Sequence, residues 1–230
     1  MAHDPYYDLV PEPKDTPFDA SKTALIVVDL QHGCAHQEGL MGRLARDQGK
    51  PWLLQERWDG IAEILPRVRR LQDACRSAGI EVIHIRVKYL TANHRDGARS
   101  LARETKARAS NAFDLEFLPM VAPVGDEIII DKTTAGAFNS TALEAVLRNL
   151  GRDRLWFTGV VTEGCVEMTA RTAADRGFYT TLVTDGCASS TRVAHEDAVQ
   201  RMTDGGLIKA RKAGDLVEVV AAARPAQAAE

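Results

Sequence analysis

The sequence predicts an α/β fold of three layers, in which helices cover both faces of a six-stranded, mainly parallel, Rossmann-like sheet. Short apolar runs of strand length alternate along the 230 residues with segments of helical periodicity. This alternation is typical of a parallel sheet with helices on both sides. The first run, TALIVVDL, is apolar almost throughout, as expected for a strand that is buried on both faces.

Each predicted strand is a run of apolar or β-branched residues that a polar or glycine-containing segment ends. EVIHIRV and EIIID are rich in isoleucine and valine, and LWFTGVV leads into a glycine-containing turn, which favours extended structure in all three. The predicted strands span residues 23–30, 81–87, 127–131, 155–161, 179–184 and 207–210.

The intervening helices are predicted from apolar residues at three- and four-residue spacing and, for the first three, from a glycine just beyond the end. The first long helix ends at Gly79, and Ser140 is the expected N-cap of the next. The predicted helices span residues 58–78, 140–150, 165–176, 193–202 and 215–223. The basic, alanine-rich stretch 91–110 is a further helical candidate.

Composition and charge exclude several classes of protein. Apolar residues make up 45% of the chain and charged residues 27%, and the net charge is −3 with mixed signs, so nothing predicts a nucleic-acid or membrane partner. Residues 1–19 lack an apolar signal core. We expect an N-terminal arm over 1–22, one domain over 23–223 and a tail over 224–230.

Cysteine usage indicates a reducing compartment. The four cysteines are far apart and form no C-x-x-C pair, which argues against a disulfide framework and predicts a cytoplasmic protein with free thiols. We expect Cys75, on a helix face, to be core and Cys187 to be structural. Cys34 follows the first strand and is a candidate to border a pocket. These cysteines are Cys34, Cys75, Cys165 and Cys187.

Three polar residues stand at the ends of predicted strands: Asp29, Lys132 and Cys165. Sites in open parallel sheets lie beyond the carboxyl ends of the strands, so we expect the three to converge. Cys165 opens a predicted helix, where free amides and the helix dipole lower a thiol's pKa and can stabilise an oxyanion. A thiol, a carboxylate base and a lysine make a nucleophilic site. The competing interpretations are a core cysteine, a loop-capping aspartate and a surface lysine.

Neither a metal nor a nucleotide cofactor is predicted. His32 and His36 flank Cys34 in HGCAH, but the loop context makes a metal site the weaker interpretation. The G-x-x-x-x-G match that ends at Gly164 has Cys165 in place of the phosphate-binding lysine. We expect His84, in a strand, to be a hydrogen-bonded core residue. His195 precedes Glu196, and we expect it to bond locally.

Several stretches together resemble the isochorismatase-like cysteine hydrolases. They are ALIVVDLQ, IIIDKTTAGAF, GVVTEGCVEMTARTAADRGF, and VTDGCASS with HEDAVQRM after it. The resemblance implies a six-stranded parallel sheet, an Asp–Lys–Cys triad of Asp29, Lys132 and Cys165, and a cis peptide at Val160–Val161. It also implies an oxyanion hole from the amides of Val161 and Cys165.

The resemblance implies a cysteine-dependent amidohydrolase that cleaves the C–N bond of a small linear amide or ureido compound through a thioester. Biuret, triuret, ureidoacrylate and N-carbamoyl compounds are the substrate candidates. It also implies a homo-oligomer, either a dimer or a tetramer. The alternatives are a non-catalytic α/β binding module, a vinyl ether hydrolase of isochorismatase type, and a thiol redox protein that uses Cys34.

Four residues are candidates for contact with the substrate. Gln31 and Phe138 neighbour members of the triad, although Phe138 also fits a core position. Arg86 lies near a strand end, where it either meets an acidic substrate or belongs to a solvated loop. Asp204, before Gly205-Gly206, resembles a polar position of biuret- and triuret-type hydrolases, and otherwise it is a residue of a helix-end loop.

Overall fold

The computed structural model describes residue 9 and residues 15–99 and 111–223 of the chain. Its strands are β1 (Thr23–Val28), β2 (Glu81–Val87), β3 (Ile128–Lys132), β4 (Arg154–Val160), β5 (Tyr179–Ala188) and β6 (Ile208–Arg211). They form one sheet in the order β3-β2-β1-β4-β5-β6, and every neighbouring pair is parallel. The predicted α/β class is confirmed, and the sheet is parallel throughout.

Eight α-helices lie in the described ranges, and one turn of π-helix, Thr162–Val166, joins β4 to the sixth of them. The helices are α1 (His32–Ala35), α2 (Leu40–Asp47), α3 (Gln55–Ser77), α4 (Ala112–Leu115), α5 (Leu143–Asn149), α6 (Glu167–Asp175), α7 (Arg192–Thr203) and α8 (Ala213–Ala222). No helix among the described residues is both long and apolar enough to cross a membrane.

The helices form two layers because side chains alternate between the faces of each strand. In β1, Leu25 and Val27 belong to one apolar core, which α3 and α8 cover, while Ile26 and Val28 belong to a second core under α5, α6 and α7. Burial on both faces explains why TALIVV reads as an uninterrupted apolar run.

Some local predictions were wrong. Ser140 does not cap a helix: α5 begins at Leu143 after Ala142, and the Ser140 hydroxyl accepts a hydrogen bond from the Thr133 N–H at 3.2 Å. Residues 91–98 form turns instead of a helix, because the Asp96 carboxylate binds the backbone N–H groups of Leu90 and Thr91. The rest of that predicted helix, 100–110, most of the N-terminal arm and the tail 224–230 lie outside the described residues.

Gly159 sets the path of β4 into the loop that follows. Its φ is +116°, and a Cβ atom there would lie 2.0 Å from the carbonyl oxygen of Val28, its partner in β1. Only glycine tolerates both the dihedral angle and this close approach. The pairing of β4 with β5 also shifts between Phe157 and Gly159, so the end of β4 is displaced locally.

We expect Gly159→Ala to lower the free energy of unfolding by about 3–5 kcal/mol, because the new methyl group adds steric overlap to an unfavourable φ. Urea denaturation of the purified variant measures the loss. Gly177→Ala is the matched control: φ is +82° and no atom lies within 4 Å of the added Cβ, so about 1 kcal/mol is expected. Equal losses in the two variants would contradict the close approach.

Candidate active site

Asp29 directly follows β1 and lies at the carboxyl edge of the sheet. Its φ is +53°, which is uncommon for a residue other than glycine but tolerated by aspartate, and its N–H donates to the carbonyl of Ile85 at 3.0 Å. The side chain is 1% exposed. The turn therefore fixes a carboxylate in a buried position beyond the central strands.

Lys132, the last residue of β3, is fully buried beside this carboxylate. Its Nζ lies 2.9 Å from Oδ2 of Asp29, and it donates to Sγ of Cys165 at 3.3 Å and to the carbonyl of Thr134 at 3.2 Å. Three partners account for the three protons of the ammonium. Burial alone lowers the pKa of Lys132, but the Asp29 carboxylate outweighs it through its charge and a hydrogen bond, so the pKa lies above its ordinary value.

Cys165 lies in the π-helical turn between β4 and α6, with 9% of its surface exposed. Burial, followed by the charge of Asp29, raises the pKa of this thiol to about 12. The expectation of a lowered pKa was wrong, because removal of the sulfur from water outweighs the nearby Lys132 charge. The neutral thiol therefore predominates at pH 7, so a nucleophile here requires a base.

The Asp29 carboxylate is suited to be that base. Among the described residues, no backbone N–H or hydroxyl donates a hydrogen bond to its oxygens, which leaves them to the Lys132 ammonium and the Cys165 thiol. The same carboxylate raises the pKa of the thiol through its charge and a hydrogen bond. The structure thus brings the three residues from separate strand ends into one contact group.

The backbone beside the sulfur has the geometry that the resemblance implied. The peptide bond between Val160 and Val161 is cis. The carbonyl of Val161 accepts hydrogen bonds from the N–H groups of Gly164 and Val166, at 3.0 and 3.3 Å. These two hydrogen bonds therefore connect the turn that carries Cys165 to Val161, the second residue of the cis peptide.

Gln31 and Phe138 have packing and hydrogen-bond partners within the protein, and their contact with a substrate stays a prediction. The Gln31 amide donates to the carbonyls of Val87 and Asp114 at 3.0 and 2.8 Å and accepts from the Val87 N–H at 2.6 Å. It joins the end of β2 to α4. Phe138 is 6% exposed and packs in the core with its ring 5.8 Å from that of Phe178.

Arg86 and Asp204 are also remote from the contact group. Arg86 alternates with Val87, the register partner of Lys132, so it faces the other side of the sheet. There it donates to Asp131 at 2.8 Å and to the carbonyl of Leu115 at 3.0 Å. Asp204 caps the end of α7 just before β6 begins, which places it at the amino edge of the sheet, opposite the thiol.

The histidines have structural partners. The rings of His32 and Phe113 stack at 4.1 Å, and the His36 ring meets Phe113 edge-on. His84 is fully buried and lies 3.0 Å from a Glu127 oxygen, as expected of a core histidine. Within 15–99 and 111–223, no group of three or more His, Cys, Asp or Glu side chains is placed to hold a metal ion.

We expected His195 to bond to a near neighbour in sequence, but it bonds to the turn that carries the thiol. Its Nδ1 lies 2.8 Å from the hydroxyl of Thr162, the first residue of the π-helical turn. Burial lowers the pKa of His195. No local pattern signals this contact, because the two residues are joined only by the packing of α7 on the turn.

The ion pair of Lys132 and Asp29 yields a stability prediction. We expect Lys132→Met to lower the free energy of unfolding by about 3–5 kcal/mol, because it leaves the buried Asp29 carboxylate without its cation. Thermal and urea denaturation of the variant give the value.

The matched control is the double variant Lys132→Met with Asp29→Asn, which removes the stranded charge. It is expected to be more stable than Lys132→Met alone, since a neutral amide costs less to bury. A double variant as unstable as the sum of the two single variants would show that the two side chains do not interact.

The chain is similar to a known domain family and to several known proteins. The isochorismatase domain family matches residues 23–211. The ureidoacrylate amidohydrolase of Serratia proteamaculans is 29% identical over 175 residues, which are 69% of this chain and 66% of that protein. The ureidoacrylate amidohydrolase of Yersinia enterocolitica is 29% identical over 175 residues, covering 69% and 72%.

Solved structures share the fold at lower identity. A cysteine hydrolase from Pseudomonas syringae superposes with a TM-score of 0.76 at 21% identity, covering 91% of this chain and 97% of that one. An N-carbamoylsarcosine amidase from Thermoplasma acidophilum superposes with a TM-score of 0.63 at 19% identity, covering 84% and 96%. At such identities the likeness supports the fold alone.

Proposed function

Because the chain belongs to the isochorismatase family, we propose that it is a cysteine-dependent amidohydrolase that cleaves a C–N bond of a small linear amide or ureido compound. The observation that carries the proposal is the buried contact of Cys165 with Lys132 at 3.3 Å and of Lys132 with Asp29 at 2.9 Å. The ureidoacrylate amidohydrolases to which the chain is similar support the choice of an amide bond.

Asp29 acts first as a general base. It accepts the proton of the Cys165 thiol while the sulfur attacks the substrate carbonyl, which removes the need for a free thiolate at a pKa of about 12. The Lys132 ammonium, in contact with both groups, stabilises the negative charge as it moves from the carboxylate to the sulfur and then to the substrate. Base and charge partner are therefore in place before the substrate binds.

The tetrahedral intermediate requires stabilisation of its oxyanion. In this proposal the backbone amides of Val161 and Cys165 supply it, each contributing about 3 kcal/mol. Collapse of the intermediate breaks the C–N bond, and Asp29 returns the proton to the leaving nitrogen, which departs as ammonia or an amine. The acyl group stays on Cys165 as a thioester.

Hydrolysis of the thioester completes the cycle. Asp29, again a carboxylate, takes a proton from water as the water oxygen attacks the thioester carbonyl. The second tetrahedral intermediate expels the Cys165 sulfur, which recovers the proton from Asp29. One water is consumed, and the acid product and the free thiol are released, so all atoms and protons balance.

The test is an ammonia-release assay on biuret, triuret, ureidoacrylate, N-carbamoyl amino acids, maleamate and nicotinamide, with Cys165→Ala protein as the control. We expect hydrolysis of at least one linear compound by the wild-type protein and none above background by the variant. If no compound is hydrolysed in a Cys165-dependent way, the proposal is wrong.

The proposal also covers the compartment, the cofactor requirement and the oligomeric state of the protein. All four cysteines are free, which favours a reducing compartment, and we propose that the protein acts in the cytoplasm without a cofactor, on a small molecule, as a homo-oligomer of two or four chains. Sedimentation equilibrium of the purified protein tests the assembly, and a monomer at micromolar concentration would contradict it.

A further inference from the structure

Arg57, in the first turn of α3, is a buried cation without an acidic partner among the described residues. It is 7% exposed. Its Nε and Nη2 donate to the carbonyl of Cys34 at 3.2 and 2.7 Å, and its Nη1 donates to the hydroxyl of Ser190 at 3.4 Å. Buried arginines are normally paired with a carboxylate. This guanidinium lies 5.8 Å from the centre of the Trp58 ring and has no described ion pair of 4.0 Å or less.

The position of Arg57 follows from the two loops that it joins. Cys34 lies in α1, which follows β1, and Ser190 follows β5. β1 and β5 are the neighbours of β4 on either side, so the guanidinium bridges the chain across the carboxyl end of β4. That end continues into the cis peptide and the turn that carries Cys165.

The surroundings of Cys34 place Arg57 near the catalytic contact group. Burial raises the pKa of the Cys34 thiol, and the charge of Asp29 raises it further, while those of Lys132 and Arg57 lower it. One side chain therefore lies within the electrostatic range of both Arg57 and the proposed triad. Arg57 and Cys165 both lie at the carboxyl edge of the sheet, around the end of β4.

The guanidinium keeps capacity to bind an anion. Three of its five N–H groups are used in the hydrogen bonds to Cys34 and Ser190, and the one to Ser190 is long. The Glu163 carboxylate accepts a hydrogen bond from the Ser190 N–H at 3.4 Å, so it lies beside the same serine, but among the described residues it forms no ion pair of 4.0 Å or less with Arg57. The fixed planar group suits a carboxylate better than a neutral amide.

We propose that Arg57 binds the carboxylate of the substrate, so that the enzyme acts on linear amides or ureido compounds that carry an acid group and discriminates against neutral ones such as biuret. This inference rests on the proposed function and narrows its substrate class. It explains why a buried cation is held by two loops without a described ion pair of 4.0 Å or less: the anion that pairs with it arrives with the substrate.

The experiment compares ureidoacrylate, or the acidic compound of the panel with the highest kcat/KM, with its methyl ester in the ammonia-release assay. Wild-type protein is expected to prefer the acid by about 10- to 100-fold in kcat/KM, as charged hydrogen bonds allow. Arg57→Gln is expected to lose this preference through a higher KM for the acid, with kcat/KM for the ester changed less than about threefold. Arg57→Lys, which keeps the charge, should restore part of the preference.

Other results overturn the inference. A wild-type protein that hydrolyses acid and ester equally well, or whose only substrates are neutral, has no carboxylate site; this measurement requires no variant to fold. Equal losses on both compounds in Arg57→Gln would make Arg57 a clamp between the two loops. Absence of Cys165-dependent hydrolysis of every compound would instead overturn the proposed function itself.

Discussion

Cys165→Ala is expected to lower kcat by at least about 10⁴-fold while the protein stays folded. The sulfur is the only atom in the proposed mechanism that bonds covalently to the substrate, and removal of a nucleophile from a hydrolase costs several orders of magnitude. The change deletes one buried atom group next to Lys132, so the loss of stability should remain small beside the loss of turnover. Steady-state ammonia release and thermal denaturation measure the two effects.

Cys187→Ala provides the matched control for this result. Cys187 is also a buried free thiol on the same core, and burial likewise raises its pKa, but its sulfur lies 3.6 Å from the Phe157 carbonyl and contacts neither Asp29 nor Lys132 among the contacts described. We expect turnover in this variant to stay within about threefold of the wild-type value. Comparable losses in both variants would mean that the activity depends on packing in this core and not on a nucleophile.

The sheet and the contact group could be predicted because each depends on local patterns. Runs such as TALIVV are buried on both faces, so their sequence reports their position directly. Asp29, Lys132 and Cys165 converge because a parallel sheet gathers the carboxyl ends of its strands at one edge. The resemblance to the isochorismatase family, carried by the same stretches, is confirmed by the match over residues 23–211.

The substrate contacts could not be predicted in the same way. A residue that is close in sequence to a member of the contact group can still point its side chain away from that group. Arg86 differs from Val87 by one position and therefore faces the opposite side of the sheet from Lys132. Gln31 follows Asp29 by two residues, yet its amide satisfies the backbone of β2 and α4. Asp204 was assigned from resemblance, although a helix that follows β5 must return to the amino edge before β6 begins.

Arg57 shows the reverse case, a residue without a sequence signal. In QERWDGIAEIL it reads as a solvated arginine near the start of a helix. Its burial depends on two loops that are distant in sequence, those of Cys34 and Ser190. Only the packed structure shows that it is buried, with its hydrogen bonds directed to these two loops and without a described ion pair of 4.0 Å or less.

Asp29→Asn is expected to change turnover and thiol reactivity in opposite directions. Turnover should fall by about 10³-fold, because the variant lacks the base that accepts the thiol proton and returns it to the leaving nitrogen. Alkylation of Cys165 by iodoacetamide at pH 8 should become faster. The pKa of the thiol, about 12 in the wild-type protein, is raised first by burial and next by the Asp29 charge. The variant loses that second cause but keeps the Lys132 ammonium 3.3 Å from the sulfur, so the thiolate forms at lower pH.

The opposite signs separate this mechanism from its competitors. If Asp29 only held the fold together, its loss would lower turnover and leave the thiol's pH profile unchanged, and if Asp29 activated the sulfur as a permanent thiolate, alkylation would slow. Asp131→Asn is the matched control, since Asp131 is a carboxylate next to Lys132 in sequence but pairs with Arg86 and Lys88 instead; it should alter neither turnover nor alkylation by more than about threefold. Rates of Cys165 labelling, followed by mass spectrometry from pH 6 to 11, distinguish the three roles of Asp29: general base, structural residue and activator of a permanent thiolate. Only a general base that also raises the pKa of its own nucleophile gives faster labelling together with slower turnover.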